Sequence, residues 1–391
     1  MSQGKEGELV KKFPSVFSNK LGCYQGKEFK LNLKPDARPK FCKPRPLPYA
    51  LRDLVASELD SLVRDGVIVP VEFSDWATPI VPISKENGQK LRICGDYKVT
   101  INPVLEVDKH PIPRVADLLN SISGTIFCKL DLSKAYLQLP LCEESQKLTT
   151  ISTHKGLFMY KKLSFGIASA PGIFQREIEK LLFGIPGVIS FFDDIFISGK
   201  DSVELTNRLE SVLEKLADAG LTVNKDKCEF FKDSVEFLGY QVDKNGLSVP
   251  LSRIQAINSI QIPTNVTELK SFLGLVTYYA KFIPNMSKIA EPLYVLLRKD
   301  KNWAWLEPQT VSFNNIKSVI ASNQILAHFD PILEIILHTD ASNVGIAGVL
   351  SQIGKDGVER PVAFCSRTLS MAGGSQNEVN CQSLSLVARD G

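Results

Sequence analysis

Apolar residues at Leu51, Leu54, Val55, Leu59, Leu62 and Val63 fall on one helical face, and Gly66 supplies a stop. Three short β-rich runs follow, VIVPVEF, ATPIVPIS and LRICGDY, broken by Gly, Asn, Pro and Asp as strands and hairpins are. This predicts a small sheet packed on the first helix. GTIFCKLDL and LFMYKKLSF read as strands and APGIFQREIEKLLF as a helix. In GVISFFDDIFISG two β-branched arms meet at Asp193-Asp194, which predicts a tight hairpin. Asp201 with Glu204 makes a capping-box pattern ahead of Leu205, Leu209, Val212, Leu213 and Leu216, and Gly220 closes that helix. VEFLGYQV reads as a further strand. Beyond Pro263 the spacing turns helical, through Leu269, Phe272, Leu273, Val276 and Tyr279 and again through Ile289, Leu293, Val295 and Leu296. From about 331, EIILHTDASNVGIAGVLSQ and ERPVAFCSRTL return to strand character, in a unit of about 60 residues that is small for a core of its own.

Composition adds limits. The 391 residues are 44% hydrophobic and 23% charged, the range of ordinary globular chains, which excludes disorder and collagen-like repeats. The net charge of +3 says little about partners, but residues 1–50 hold eleven basic and four acidic side chains, a local +7. On charge alone this opening reads as a solvated basic arm. Eight cysteines without close pairs read as buried thiols in a reducing compartment rather than zinc or disulfide sites. With no apolar run of 18 residues and no secretory leader, the expectation is a soluble intracellular protein, cytoplasmic or nuclear, with no membrane partner.

The candidate chemistry lies in carboxylates at the ends of apolar strands: Asp131, then Asp193 and Asp194 62 residues later. Hard cations such as Mg2+ take one or two carboxylates, with water and phosphate oxygens completing the shell. A pair of such ions about 4 Å apart can serve both oxygens of a phosphoryl displacement. Spacing alone favours a plainer reading, a turn and a strand-end cap, because Asp is a common turn residue.

The neighbouring strings change that weighting as a set. LRICGDYKVTINP, FCKLDLSKAYLQLPL, LSFGIASAPGIFQREI, FFDDIFISG, GLTVNKDKCEF, EFLGYQV and ELKSFLGLVTYYAKFIP, in that order, resemble the reverse transcriptase of Gypsy-class LTR-retrotransposon polyproteins over roughly residues 13–387. The resemblance implies an α+β right-hand polymerase of fingers, palm and thumb, with an incomplete RNase H-like α/β domain at the C-terminus. It divides the chain into a basic arm (1–34), fingers and palm (35–245), thumb and connection (246–330) and a truncated RNase H-like domain (331–391). It makes Asp131, Asp193 and Asp194 the catalytic metal ligands, with the Leu132 carbonyl as an extra oxygen, for two Mg2+ ions that Mn2+ can replace. Lys85, Arg92, Tyr136, Gly166 and Gln175 are implied at the nucleotide, Tyr136 as the ring that excludes a 2′-hydroxyl. Leu238, Gly239 and Tyr240 correspond to the primer grip, and Lys227 is a candidate general acid toward pyrophosphate. The implied partners are an RNA or DNA template with primer and deoxynucleoside triphosphates. Nothing in the pattern specifies an oligomeric state.

Two departures stand out. Phe191 occupies a hairpin position where the family usually has Tyr. HTDAS resembles the first RNase H motif, with Asp340 as its leading carboxylate, yet CQSLSLV places Gln382 where the family has a catalytic Glu, and the chain stops at Gly391. No RNase H activity is therefore expected. Two other classes remain open: a non-catalytic nucleic-acid-binding remnant of such a polyprotein, and another palm-type enzyme such as a nucleotide cyclase, which would lack the primer-grip and thumb strings.

Overall fold

The computed structural model describes residues 2–85, 90–298, 302–341 and 345–368. The chain divides into two compact units, Met1–Leu118 with Ile126–Lys232, and Leu119–Thr125 with Asp233–Gly391. Among the described residues no helix is long and apolar enough to cross a membrane.

The first unit begins with helices α1 (Ser2–Lys12) and α2 (Tyr49–Arg64), then strands β1 (Ile68–Val71), β2 (Thr78–Lys85) and β3 (Lys90–Gly95). Helix α3 (Val115–Asn120) carries the chain out of this unit, and β4 (Ile126–Asp131) returns to it. There follow α4 (Glu143–Leu148), β5 (Ile151–Thr153), β6 (Gly156–Tyr160), α5 (Ala170–Leu182), β7 (Val188–Phe191), β8 (Asp194–Gly199), α6 (Ser202–Asp218) and β9 (Glu229–Lys232). One sheet has the order β1-β6-β5-β2-β3, and a second, β7-β8-β4-β9, is antiparallel throughout.

The second sheet owes its shape to burial. Helix α6 lies against β8 and β4, and its Leu205, Leu209, Val212, Leu213 and Leu216 are fully buried. The Asp201 carboxylate caps it by accepting from the Val203 and Glu204 N–H groups, and Glu204 reaches back to the Lys200 N–H at 2.6 Å. Helix α5, started at Pro171, buries Ile173, Phe174, Ile178 and Leu182 and packs on β7.

The basic opening is not a solvated arm. Leu9, Phe13, Val16, Phe29 and Leu31 belong to the main apolar core, while Lys11 and Lys12 stay exposed. Val16 accepts from the Val223 N–H at 2.9 Å, and Phe29 bridges to Leu141. Charge counting missed this because five widely spaced apolar residues anchor a segment most of whose cations stay exposed.

In the second unit, β10 (Ser234–Phe237), β11 (Tyr240–Asp243) and β12 (Gly246–Ser248) form a small antiparallel sheet. VEFLGYQV is thus two strands rather than one: Leu238 and Gly239 both take positive φ, 50° and 73°, and turn the chain in two residues. Helices α7 (Leu251–Ser259), α8 (Val266–Tyr278), α9 (Met286–Val295) and α10 (Glu307–Ala321) precede a sheet of β13 (Ile335–Ala341), β14 (Gly345–Ile353) and β15 (Glu359–Thr368). The boundary expected near 245 falls instead at 232/233. The strands of 234–248 pair among themselves, and Leu247 exchanges both backbone hydrogen bonds with Leu326.

If the opening segment is core, Phe29→Ala should lower the unfolding free energy by about 3–5 kcal/mol in urea titrations. A change below about 0.5 kcal/mol would return the segment to solvent.

Candidate active site

The antiparallel register of β4 and β8 sets Asp131 directly opposite Asp194. Like charges facing each other across a strand pair oppose sheet formation, so this arrangement costs stability and needs support from elsewhere. Phe191 pairs with Asp194, which makes Phe192 and Asp193 the two turn residues. The expected tip at Asp193-Asp194 is shifted by one: Asp194 is the first residue of β8. The turn is tied to the neighbouring strand end by a backbone bond, the Leu132 N–H donating to the Asp193 carbonyl at 2.8 Å.

Two fully buried glutamines supply the support. Gln175, on α5, accepts from the Phe192 N–H at 2.8 Å and donates to the Ser190 carbonyl at 2.9 Å. Phe192 has φ 52°, a conformation that costs a non-glycine residue roughly 1–2 kcal/mol, and this clasp holds it there. Gln138 performs the same service for the segment after β4, donating to the Ser133 and Thr222 carbonyls at 2.7 and 2.9 Å and accepting from the Thr222 N–H at 2.7 Å. Asn224 closes the set, its N–H donating to the Asp131 carbonyl at 2.8 Å.

Around the carboxylates is a cavity of about 690 Å³ whose lining includes Arg92, Asp131, Leu132, Tyr136, Asp193 and Lys227. The structure therefore brings together six of the residues picked out from the sequence. Burial pushes the Asp131 carboxyl above its usual range, opposed by the Lys227 ammonium at 3.5 Å and reinforced by Asp193. Asp194 does not line the cavity. Burial pushes it up to about 6, against the pull of Lys129, whose ammonium lies 3.7 Å away, and with the push of Asp193 and Asp131. The two lysines partly balance a cluster of carboxylates that would otherwise repel one another.

The donor set suits a hard cation. Asp131 and Asp193 offer carboxylate oxygens, and among the described residues no N–H donates to the Leu132 carbonyl. No group of three His, Cys, Asp or Glu side chains among the described residues is drawn tight enough to hold an ion by itself. Lys129 and Lys227 instead take part of the charge balance that a cation would supply.

Tyr136 stands on a short 3-10 turn, Ala135–Gln138, with its ring 5.2 Å from Phe165 and 5.5 Å from Phe174. Burial, then the nearby Asp193 charge, pushes its hydroxyl up to about 12, so it stays protonated at neutral pH. The Arg92 guanidinium lies 4.5 Å over the Phe165 ring. Phe165 thus touches both functional side chains, and the sequence reading missed it because an apolar ring carries no chemistry of its own. Lys85 ends β2 opposite Lys90, and its side chain lies outside the described residues.

Two of the nucleotide-site candidates sit elsewhere. Gln175 spends its amide on the hairpin rather than facing the cavity. Gly166, at φ 96°, is required by the backbone: a Cβ there would meet the Gly95 carbonyl oxygen at 2.6 Å. In the second unit, Leu238, Gly239 and Tyr240 form the β10–β11 turn, and Asp340 is an exposed residue of β13 opposite Ala347. Gln382 lies outside the described residues.

Residues 83–242 match the family model described as reverse transcriptase (RNA-dependent DNA polymerase), and residues 305–388 match that of the RNase H-like domain found in reverse transcriptase. The Tf2-3 transposon polyprotein of Schizosaccharomyces pombe is 34% identical over 351 residues, covering 89% of this chain and 26% of that protein. An uncharacterized Caenorhabditis elegans protein, K02A2.6, is 35% identical over 288 residues, 73% of this chain and 23% of its own length. The chain thus spans about a quarter of these relatives. A foamy viral protease-reverse transcriptase solved with double-stranded DNA superposes with a TM-score of 0.90 at 23% identity, over 100% of this chain and 70% of that one. The same viral protein solved with an RNA/DNA hybrid gives 0.86 at 23% identity, over 99% and 53%. The likeness at that identity is one of fold.

Replacing Gln175 by Leu would strand the Phe192 N–H and the Ser190 carbonyl. Urea unfolding should show a loss of about 1–3 kcal/mol. An unchanged midpoint would mean the hairpin does not depend on the clasp.

Proposed function

We propose that this chain, which carries a reverse transcriptase domain followed by an RNase H-like domain, extends a primer with deoxynucleotides along an RNA or DNA template. The reading rests on one observation above the rest: Asp131 and Asp193 share the lining of a single cavity with Arg92 and Tyr136. We assign the chain to a retrotransposon polyprotein of the Gypsy class, a reading supported by the ordered motifs and the transposon relatives.

Each residue has a task its chemistry suits. Mg2+, or Mn2+ in its place, would be held by the carboxylates of Asp131 and Asp193 and the Leu132 carbonyl with Asp194 beside them, and two such ions supply charge stabilisation at the attacking and leaving oxygens of phosphoryl transfer. Arg92, already oriented by Phe165, offers planar paired donors to phosphate oxygens, and Lys85 is placed by its motif to add a point charge. The Tyr136 ring, fixed between Phe165 and Phe174, would exclude a ribose 2′-hydroxyl. Lys227 holds its ammonium beside Asp131 and would serve as the general acid toward departing pyrophosphate. In the RNase H-like domain Gln382 offers an amide where the chemistry requires a negative charge, and we propose that this domain does not cleave RNA.

Primer extension on a homopolymer template with Mg2+ tests the reading. The wild-type chain should yield DNA product, and Asp193→Asn should remain soluble and yield none. Activity near wild type in that variant removes Asp193 from the role, while duplex binding without product from the wild type favours a non-catalytic remnant. Tyr136→Val should admit ribonucleotides; unchanged sugar discrimination would dismiss the gate.

A further inference from the structure

The Leu238–Gly239 turn is held in an unusual way. Both residues take positive φ, and each carbonyl is occupied by a tyrosine hydroxyl from the end of α8. Tyr278 donates to the Leu238 carbonyl at 2.5 Å, and Tyr279 to the Gly239 carbonyl at 3.1 Å. The lock closes on itself, because the Tyr240 hydroxyl donates to the Tyr278 carbonyl at 3.0 Å and the Tyr240 and Tyr278 rings stack at 5.1 Å. Lys281 places its ammonium 4.0 Å over the Tyr240 ring. A Cβ on Gly239 would meet the Tyr278 ring at 3.3 Å, so turn and ring are in direct contact.

The two tyrosines differ in what packing alone would ask of them. Tyr279 is 2% exposed, as a core residue is, but Tyr278 is 45% exposed and still spends its hydroxyl on the turn. With both carbonyls taken, the turn has only its N–H groups left to offer. Among the described residues, neither the Leu238 nor the Gly239 N–H has a protein acceptor. Two backbone N–H groups without a protein acceptor, next in sequence to a Tyr240 ring that carries the Lys281 ammonium, suit a phosphate oxygen.

We propose that Tyr278 and Tyr279 are positioning residues for the primer strand, fixing the Leu238–Gly239 turn so that its N–H groups and the Lys281 charge face a phosphodiester. This rests on the polymerase reading above and adds to it the residues that set the geometry of the turn. The tyrosines touch no reacting atom; they act through the backbone they hold.

The test compares wild type with Tyr278→Phe and with the Tyr278→Phe, Tyr279→Phe pair, each keeping its rings. The Kd for a labelled primer–template is read by fluorescence anisotropy, and kinetic constants by extension. The expected outcome is a Kd and a primer–template KM raised about threefold in the single and about tenfold in the double variant, the loss of one and two neutral hydrogen bonds. The deoxynucleotide KM and the melting temperature of the single variant should stay at wild-type values. Wild-type primer affinity in the folded single variant overturns the proposal, as does an equal rise in both KM values, which would report general damage. A wild-type chain that fails to bind the duplex also overturns it. If the wild-type chain binds duplex yet extends nothing, the polymerase reading fails while the Kd comparison still decides this one.

Discussion

One short hydrogen bond, from the Leu132 N–H to the Asp193 carbonyl, carries the constraint on which the site depends. Strand pairing alone aligns Asp131 with Asp194, but Asp193 sits in the turn beyond the ladder. The tether brings that turn back to the end of β4, so carboxylates far apart in sequence share one cavity. The left-handed Phe192 is the local strain this requires, and the buried Gln175 amide offsets it. Gln138 and Asn224 then fix the segment on the other side.

Electrostatics explain why such a cluster can exist in a folded chain. Burial raises the carboxyls of Asp131 and Asp194, and the neighbouring Asp193 charge raises both further, so holding the three together costs stability. Lys129 and Lys227 lower that cost from two directions, one on the strand beside Asp131 and one on the segment that follows Asn224. Lys129 pairs with Asp194 and Lys227 with Asp131, while Asp193 lines the cavity. A charge arrangement only partly balanced by the protein is what a cation-dependent site requires.

Legibility in the sequence followed the range of the forces involved. Helices α2 and α6 and the β7–β8 hairpin were readable because their apolar spacing, caps and turn residues are local signals, whereas the carboxylates were readable only through the ordered motifs around them, since by spacing alone they pass for a turn and a strand-end cap. The one-residue shift of the hairpin tip was not, since FFDD allows either turn and the choice is made by Gln175 on a distant helix. Gln138, Gln175 and Phe165 were invisible or misassigned for the same reason: an amide or a ring takes its role from what tertiary structure places beside it. The anchored opening segment was hidden by its surplus of cations, and the break in VEFLGYQV by Leu238, a residue seldom found at positive φ.

Cation binding tests the central claim most directly. Electron paramagnetic resonance can count Mn2+ bound to the chain in the presence of primer–template and deoxynucleotide, in wild type and in Asp131→Asn. Two bound ions in the wild type, with binding weakened or lost in the variant, is the result expected if Asp131 and Asp193 converge on a shared site. Equal binding in both proteins, or none in either, would contradict it.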